Sequence, residues 1–231
     1  MQHNEPRPVS FFYILSLASF SLGTASISFC SNQVIQLTLR KFTTSMFLIG
    51  LIVSLQALNQ LWATPYAAWK SDRIWTRIGR RRPLVLIMTP LLAATIVLVP
   101  YCPSLLMLIP LVFIMQMAED AEQAVMMPSI CDSVPDKQRP LGTAMWQFAV
   151  AVSTFIMGRY VMKLMDHAEH WPYTVAGMTV LVTGIIFLFV MREKYVPPRH
   201  EEKFQFASYG KEIFQLREHI SSSSSSRCST W

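Results

Sequence analysis

Long runs without charge alternate with short polar connections along most of this chain. No Asp, Glu, Lys or Arg occurs between Arg7 and Arg40, Lys41 and Lys70, Arg82 and Glu119, Arg139 and Arg159, or Glu169 and Arg192. A helix crosses ~30 Å of hydrocarbon with about 20 apolar residues. Such a segment must be helical, because lipid offers no partner to a backbone N–H. The pattern predicts six spans, at roughly 9–34, 45–69, 83–101, 104–127, 140–162 and 172–191. Tyr101, Cys102, Pro103 and Ser104 divide the long third gap into a hairpin of two helices. The expected fold is therefore all-α: a multi-pass bundle over 1–195, with a polar tail over 196–231. A cleaved signal peptide is the competing reading of the first span, but its apolar run exceeds a 7–15-residue signal core and no A-x-A-like site follows.

Composition agrees: 52% of the 231 residues are hydrophobic and 15% charged, against about 25% charged in soluble domains. The formal charge of +6 could suggest nucleic acid, but its distribution reflects membrane orientation. With the N-terminus cytoplasmic, 16 of the Lys and Arg residues fall on the inner side and only Arg40, Lys41, Arg159 and Lys163 on the outer side. Such a bias sets topology, and a cell membrane with both the N-terminus and the tail cytoplasmic is expected. Cys30, Cys102, Cys131 and Cys228 show no metal-ligand spacing. A Cys30–Cys102 disulfide is open, as are two free thiols. No metal or nucleophile motif points to an enzyme, no cofactor is expected, and His3, His167 and His170 fall at edges of spans.

Within the spans, polar residues cluster. At ~100° per residue, Gln116, Glu119, Asp120, Gln123 and Met127 share one face of span four. Glu122 points elsewhere, as a packing partner. Gln56, Asn59 and Gln60 form a matching stripe on span two at a similar depth, and the two stripes are expected to line one pocket. Charges at mid-bilayer are costly and usually face a cavity or a partner; the alternative is that the three acids snorkel to an interface. Trp146 and Gln147 on span five, with Tyr13, Ser16 and Thr24 on span one, could add stacking and hydrogen-bonding groups to such a pocket.

The connection between spans two and three is the most specific feature. It reads Ser71-Asp72-Arg73-Ile74-Trp75-Thr76-Arg77-Ile78-Gly79-Arg80-Arg81-Arg82-Pro83. Gly79 permits a tight turn, and Pro83 suits the start of a helix. The segment resembles the loop between helices two and three of the major facilitator superfamily. Within it, the longer spacing is similar to that of the sugar–cation symporters: the glycoside–pentoside–hexuronide and sucrose-type group. Cys131-Asp132-Ser133-Val134-Pro135-Asp136-Lys137-Gln138-Arg139 followed by Leu141-Gly142 resembles that family's loop after helix four. The likeness runs from residue 10 to about 195.

The resemblance implies a secondary transporter working by alternating access, symporting a glycoside with H+ or Na+. The alternatives are a transporter of a non-sugar solute, or a non-transporting partner or sensor with the same fold. It implies a cytoplasmic latch in which Asp72 and Arg80 act with Arg73, Gly79, Arg81 and Arg82. It also implies that helices two and four bind the coupling ion, with Asp120 the first candidate and Glu119 the second. The family's helix-four acids align with Gln116 or near Gln123, and its Arg near Met127, so the acids here are displaced. Transporters of this fold have two six-helix halves. The chain matches the first, its tail resembles the central loop up to His219, and six serines follow at Ser221–Ser226. The expectation is a truncated or frameshifted half that needs a second half or second copy. Phe204, Phe206, Tyr209, Ile213, Phe214 and Leu216 in the tail suggest a short amphipathic helix on the membrane surface.

Overall fold

A computed structural model of the chain describes residues 9–73, 76, 79, 81–165 and 167–191. Among these there is no β-strand, and six long helices account for nearly everything. We label them α1 (Phe11–Phe42), α2 (Met46–Arg73), α3 (Arg82–Tyr101), α4 (Leu105–Ser133), α5 (Asp136–Leu164) and α6 (His170–Val190). The six expected spans are thus found, with shifted ends. α1 runs on to Phe42, past its expected end at 34, because Arg40 and Lys41 end the apolar stretch without interrupting helical hydrogen bonding. α4 continues to Ser133 for the same reason.

Five helices are long and apolar enough to cross a membrane by length and composition. α4 is the exception. Every 18-residue window within Leu105–Ser133 contains Glu119, Asp120 and Glu122. These acids do not snorkel: they are 0%, 1% and 1% exposed. The charges are therefore enclosed by protein, and the outer surface of the bundle remains apolar. Leu106 and Phe189, at 83% and 84% exposed, belong to that surface. Helix and apolar exterior together satisfy what lipid demands of backbone and side chain.

The helices alternate in direction. At one end, Gln138 holds Val9 through paired bonds of 2.8 and 3.2 Å, and Arg82 donates to the Met191 carbonyl. At the other, Lys41 pairs with Glu169 and Tyr101 stacks on His170. α6 packs tightly between α1 and α3. Phe20 and Phe187 stack with centroids 4.7 Å apart. A Cβ on Gly23 would lie 2.2 Å from Thr183 Oγ1 and 2.6 Å from Val180 Cα, so only glycine admits this approach. Small residues at crossings are how membrane helices gain dispersion contacts without a hydrophobic driving force. Interhelical hydroxyl bonds add to them: Ser26 with Ser153 at 2.8 Å, and Thr38 with Tyr173 at 2.6 Å. Cys30 and Cys102 are free thiols, each donating to a main-chain carbonyl, of Pro172 and Leu98 respectively.

The share of each apolar window buried inside the protein is 67% for α1 but only 24% for α2 and 22% for α5. α1 is the central helix, and α2 and α5 are peripheral. Two π turns interrupt the helices, Cys30–Val34 in α1 and Met157–Val161 in α5.

Candidate functional site

An open cavity of about 490 Å³ lies between α1, α4 and α5. α1 contributes Thr24, Ala25, Ser28, Phe29, Asn32 and Gln33 to its wall; α4 contributes Gln123; α5 contributes Trp146, Gln147, Val150 and Thr154. The wall mixes two aromatic rings with four carboxamides and three hydroxyls, and no Lys, Arg, Asp or Glu is among these lining residues. Of the residues expected on sequence grounds, Gln123, Trp146, Gln147 and Thr24 are brought together here. Tyr13 and Ser16 are not; Ser16 instead returns a hydrogen bond to the Tyr13 carbonyl at 2.9 Å.

Glu119 sits directly behind the wall. It accepts a hydrogen bond from Ser28 of α1 and another, at 3.4 Å, from Gln123 one turn further along α4. Both donors line the cavity. The second carboxylate oxygen of Glu119 has no partner among the described residues. A fully buried carboxylate with one oxygen unpaired is costly unless a proton, a cation or a ligand completes it. Asp120, one residue on, turns away from this wall and interacts with Gln60 of α2. Glu122 accepts a 2.6 Å bond from Thr89 of α3, the packing role expected of it.

Among the described residues, the α2 stripe does not line this cavity. Asn59 is fully buried against α4, with its Nδ2 3.5 Å from the Phe113 carbonyl. Gln56 and Gln60 lie outside the cavity, and Gln116 is buried away from it. Asn59 joins the two stripes as a helix–helix contact, and the cavity lies on the α1 and α5 side of α4. Ser28, Asn32 and Gln33 were missed. The available signal was a polar cluster in an otherwise apolar span, at its very end as the span was drawn.

At the α2–α3 connection, Thr76 and Gly79 exchange two backbone bonds of 3.1 Å, and Gly79 adopts φ 130°, a conformation that suits glycine. Pro83 falls in the first turn of α3 as expected. Arg81 is buried, with Nη1 3.5 Å from Ser129 Oγ near the end of α4. Arg81 and Arg82 thus tie α3 to α4 and to the end of α6. Arg80, the side chains of Asp72 and Arg73, and the tail with its expected amphipathic helix lie outside the described residues.

No curated protein matches the chain. The family model of the Major Facilitator Superfamily matches residues 9–225. That match spans nearly all of the chain and takes in every helix, the cavity wall and the Gly79 turn. The family consists of multi-pass membrane proteins that act in general as secondary transporters of small solutes, without covalent chemistry. The chain belongs to the Major Facilitator Superfamily.

Proposed function

We propose that the chain is the six-helix unit of a symporter that couples a glycoside to H+ or Na+ across the cell membrane. One observation carries this reading: Glu119 is joined by Ser28 and Gln123 to the wall of a cavity whose lining groups are amides, hydroxyls and aromatic rings. Amides and hydroxyls match the donors and acceptors of a sugar, and Trp146 offers a face on which a ring can stack. Glu119 can take up a proton or ligate a cation through its unpaired oxygen. Because its partners line the cavity, a solute that rearranges Ser28 or Gln123 changes the site of the ion, and the reverse holds by linkage. This moves the leading ion-coupling role from Asp120 to Glu119.

The reading includes alternating access against a second six-helix unit, either a separate half or a second copy. Support comes from α2 and α5, which leave most of their windows unburied. A facing unit would pack against those windows. It also includes the orientation in which the end bearing Val9, Arg81 and Met191 is cytoplasmic, and there the 72–83 segment acts as the latch.

The test is uptake of radiolabelled glycosides into energised membrane vesicles bearing the chain, with proton and sodium gradients imposed separately. Accumulation driven by one gradient and abolished by its ionophore is expected. Accumulation indifferent to both gradients, or confined to non-sugar solutes, overturns the reading.

A further inference from the structure

The cavity wall on α1 depends on an irregularity. Thr24, Ala25, Ser28 and Phe29 form one face of a regular helix. Continued at ~100° per residue, that helix would carry Gln33 roughly 110° away from the centre of this face. The π turn at Cys30–Val34 holds an extra residue and takes back much of that rotation. Gln33 consequently reaches the cavity beside Asn32, which a regular helix already carries within ~10° of the centre of that face. π turns inside α-helices concentrate at functional sites for this reason. The Asn32 amide is fixed by a 2.8 Å bond from Nδ2 to the Ser28 carbonyl, which leaves its Oδ1 to accept. Neither the Gln33 nor the Gln147 amide has a hydrogen-bond partner among the described residues.

The charge of the site is equally specific. No Lys, Arg or His is among the residues lining the cavity, and the ionisable group behind it is Glu119. Ionised, Glu119 repels an anion; protonated, it supplies no positive charge. In neither state does this wall, among the described residues, offer a counter-ion for a carboxylate on the solute, and burying an unpaired charge is strongly unfavourable.

We infer that the π turn of α1 sets Gln33 beside Asn32 as the pair that selects the solute, and that the cavity takes uncharged sugars and rejects uronides. The inference rests on the sugar reading above and narrows it. Discrimination comes from an uncompensated charge on the rejected ligand, the usual means by which a site refuses a close relative of its substrate.

The experiment is equilibrium binding to the full chain in lipid nanodiscs. The probes are sucrose, methyl β-glucoside, methyl β-glucuronide and tetramethylammonium. Binding of at least one neutral sugar is expected, with the glucuronide weaker than the glucoside by about tenfold or more. Gln33→Arg, at an exposed position, places a cation on the wall. It should strengthen glucuronide binding by about tenfold while the neutral sugar weakens. A thermal melt of the variant shows that it is folded. Gln33→Ala should weaken the neutral sugar without admitting the glucuronide. Equal binding of glucoside and glucuronide, or no response to Gln33→Arg in the folded variant, overturns the selection inference and leaves the sugar reading standing. Binding of tetramethylammonium alone, or of no probe, overturns both.

Discussion

Ser28 of α1 donates its hydroxyl proton to Glu119 of α4, joining the central helix of the bundle to an acid that lies wholly inside it. The bond crosses between two helices that both line the cavity. If Glu119 carries the coupling ion, Glu119→Gln keeps the shape and the Ser28 contact while removing the exchangeable charge. Gradient-driven accumulation should fall by about tenfold or more, whereas solute exchange at equal concentrations on both sides should persist. Loss of both activities in equal measure would assign Glu119 to solute binding. Ser28→Ala should weaken accumulation less, because a hydrogen bond to a charged group is worth about 1.5–3 kcal/mol and Gln123 remains as a donor.

Asp120 provides the comparison. It is as buried as Glu119 but turns to Gln60 on α2, away from the cavity. Asp120→Asn should therefore leave accumulation within about threefold of the original and act mainly on the α2–α4 contact, read as a lower melting temperature. A collapse of accumulation equal to that of Glu119→Gln would restore Asp120 as the coupling residue.

The spans were legible because lipid imposes a strict rule: a run of about 20 residues without charge has few other stable fates. Their ends were not, since Arg40 and Lys41 lie within the helical reach of α1 although they leave the apolar zone. The stripe on α4 was also legible, and Gln116, Glu119 and Asp120 are indeed buried. Its partners were not. Periodicity tells which face of a helix is polar but not which neighbour it meets, so Asn59 became a packing residue and Ser28 the partner of Glu119. The π turn that brings Gln33 to the cavity left no mark in the residue pattern, because hydrophobic periodicity does not register one extra residue within a single turn.

Thr89 and Glu122 make a second buried bond, 2.6 Å long, between α3 and α4. It lies away from the cavity and should matter to stability alone. Thr89→Val is nearly isosteric and removes the donor, leaving both Glu122 oxygens without partners. A loss of about 1–3 kcal/mol follows from stranding a buried polar group, seen as earlier unfolding in a detergent melt. Glu122→Gln retains an acceptor for Thr89 and should be close to neutral. Solute binding should be unchanged in both variants, and a shift in solute affinity would show that this bond couples to the site.

Gly23 is the point of closest approach between α1 and α6. A Cβ there would meet Thr183 Oγ1 at 2.2 Å and Val180 Cα at 2.6 Å. The main-chain atom cannot rotate aside, so Gly23→Ala must push the helices apart and disturb the Phe20–Phe187 stack. Overpacking costs about 1–3 kcal/mol, and a thermal melt should register it. Gly50, whose Cβ would meet nothing within 4 Å, is the control: Gly50→Ala should be neutral or slightly stabilising, since alanine favours a helix over glycine by about 1 kcal/mol.

Orientation can be tested on the same helices. The end that holds Val9, Gln138 and Met191 also carries Arg81, Arg82, Lys137 and Arg139, while the opposite end holds Lys41 with Glu169. Basic residues are retained on the cytoplasmic side during insertion. Lys137 is exposed in the first turn of α5, and Lys163 is exposed near the far end of the same helix. In cells expressing a chain whose own cysteines are replaced by serine, Lys163→Cys should react with a membrane-impermeant maleimide added outside. Lys137→Cys should react only after the membrane is opened. The reverse pattern would put the Gly79 turn with Arg81 and Arg82 beside it on the outer face. Those residues could then not serve as a cytoplasmic latch, although the cavity and its link to Glu119 would stand unchanged.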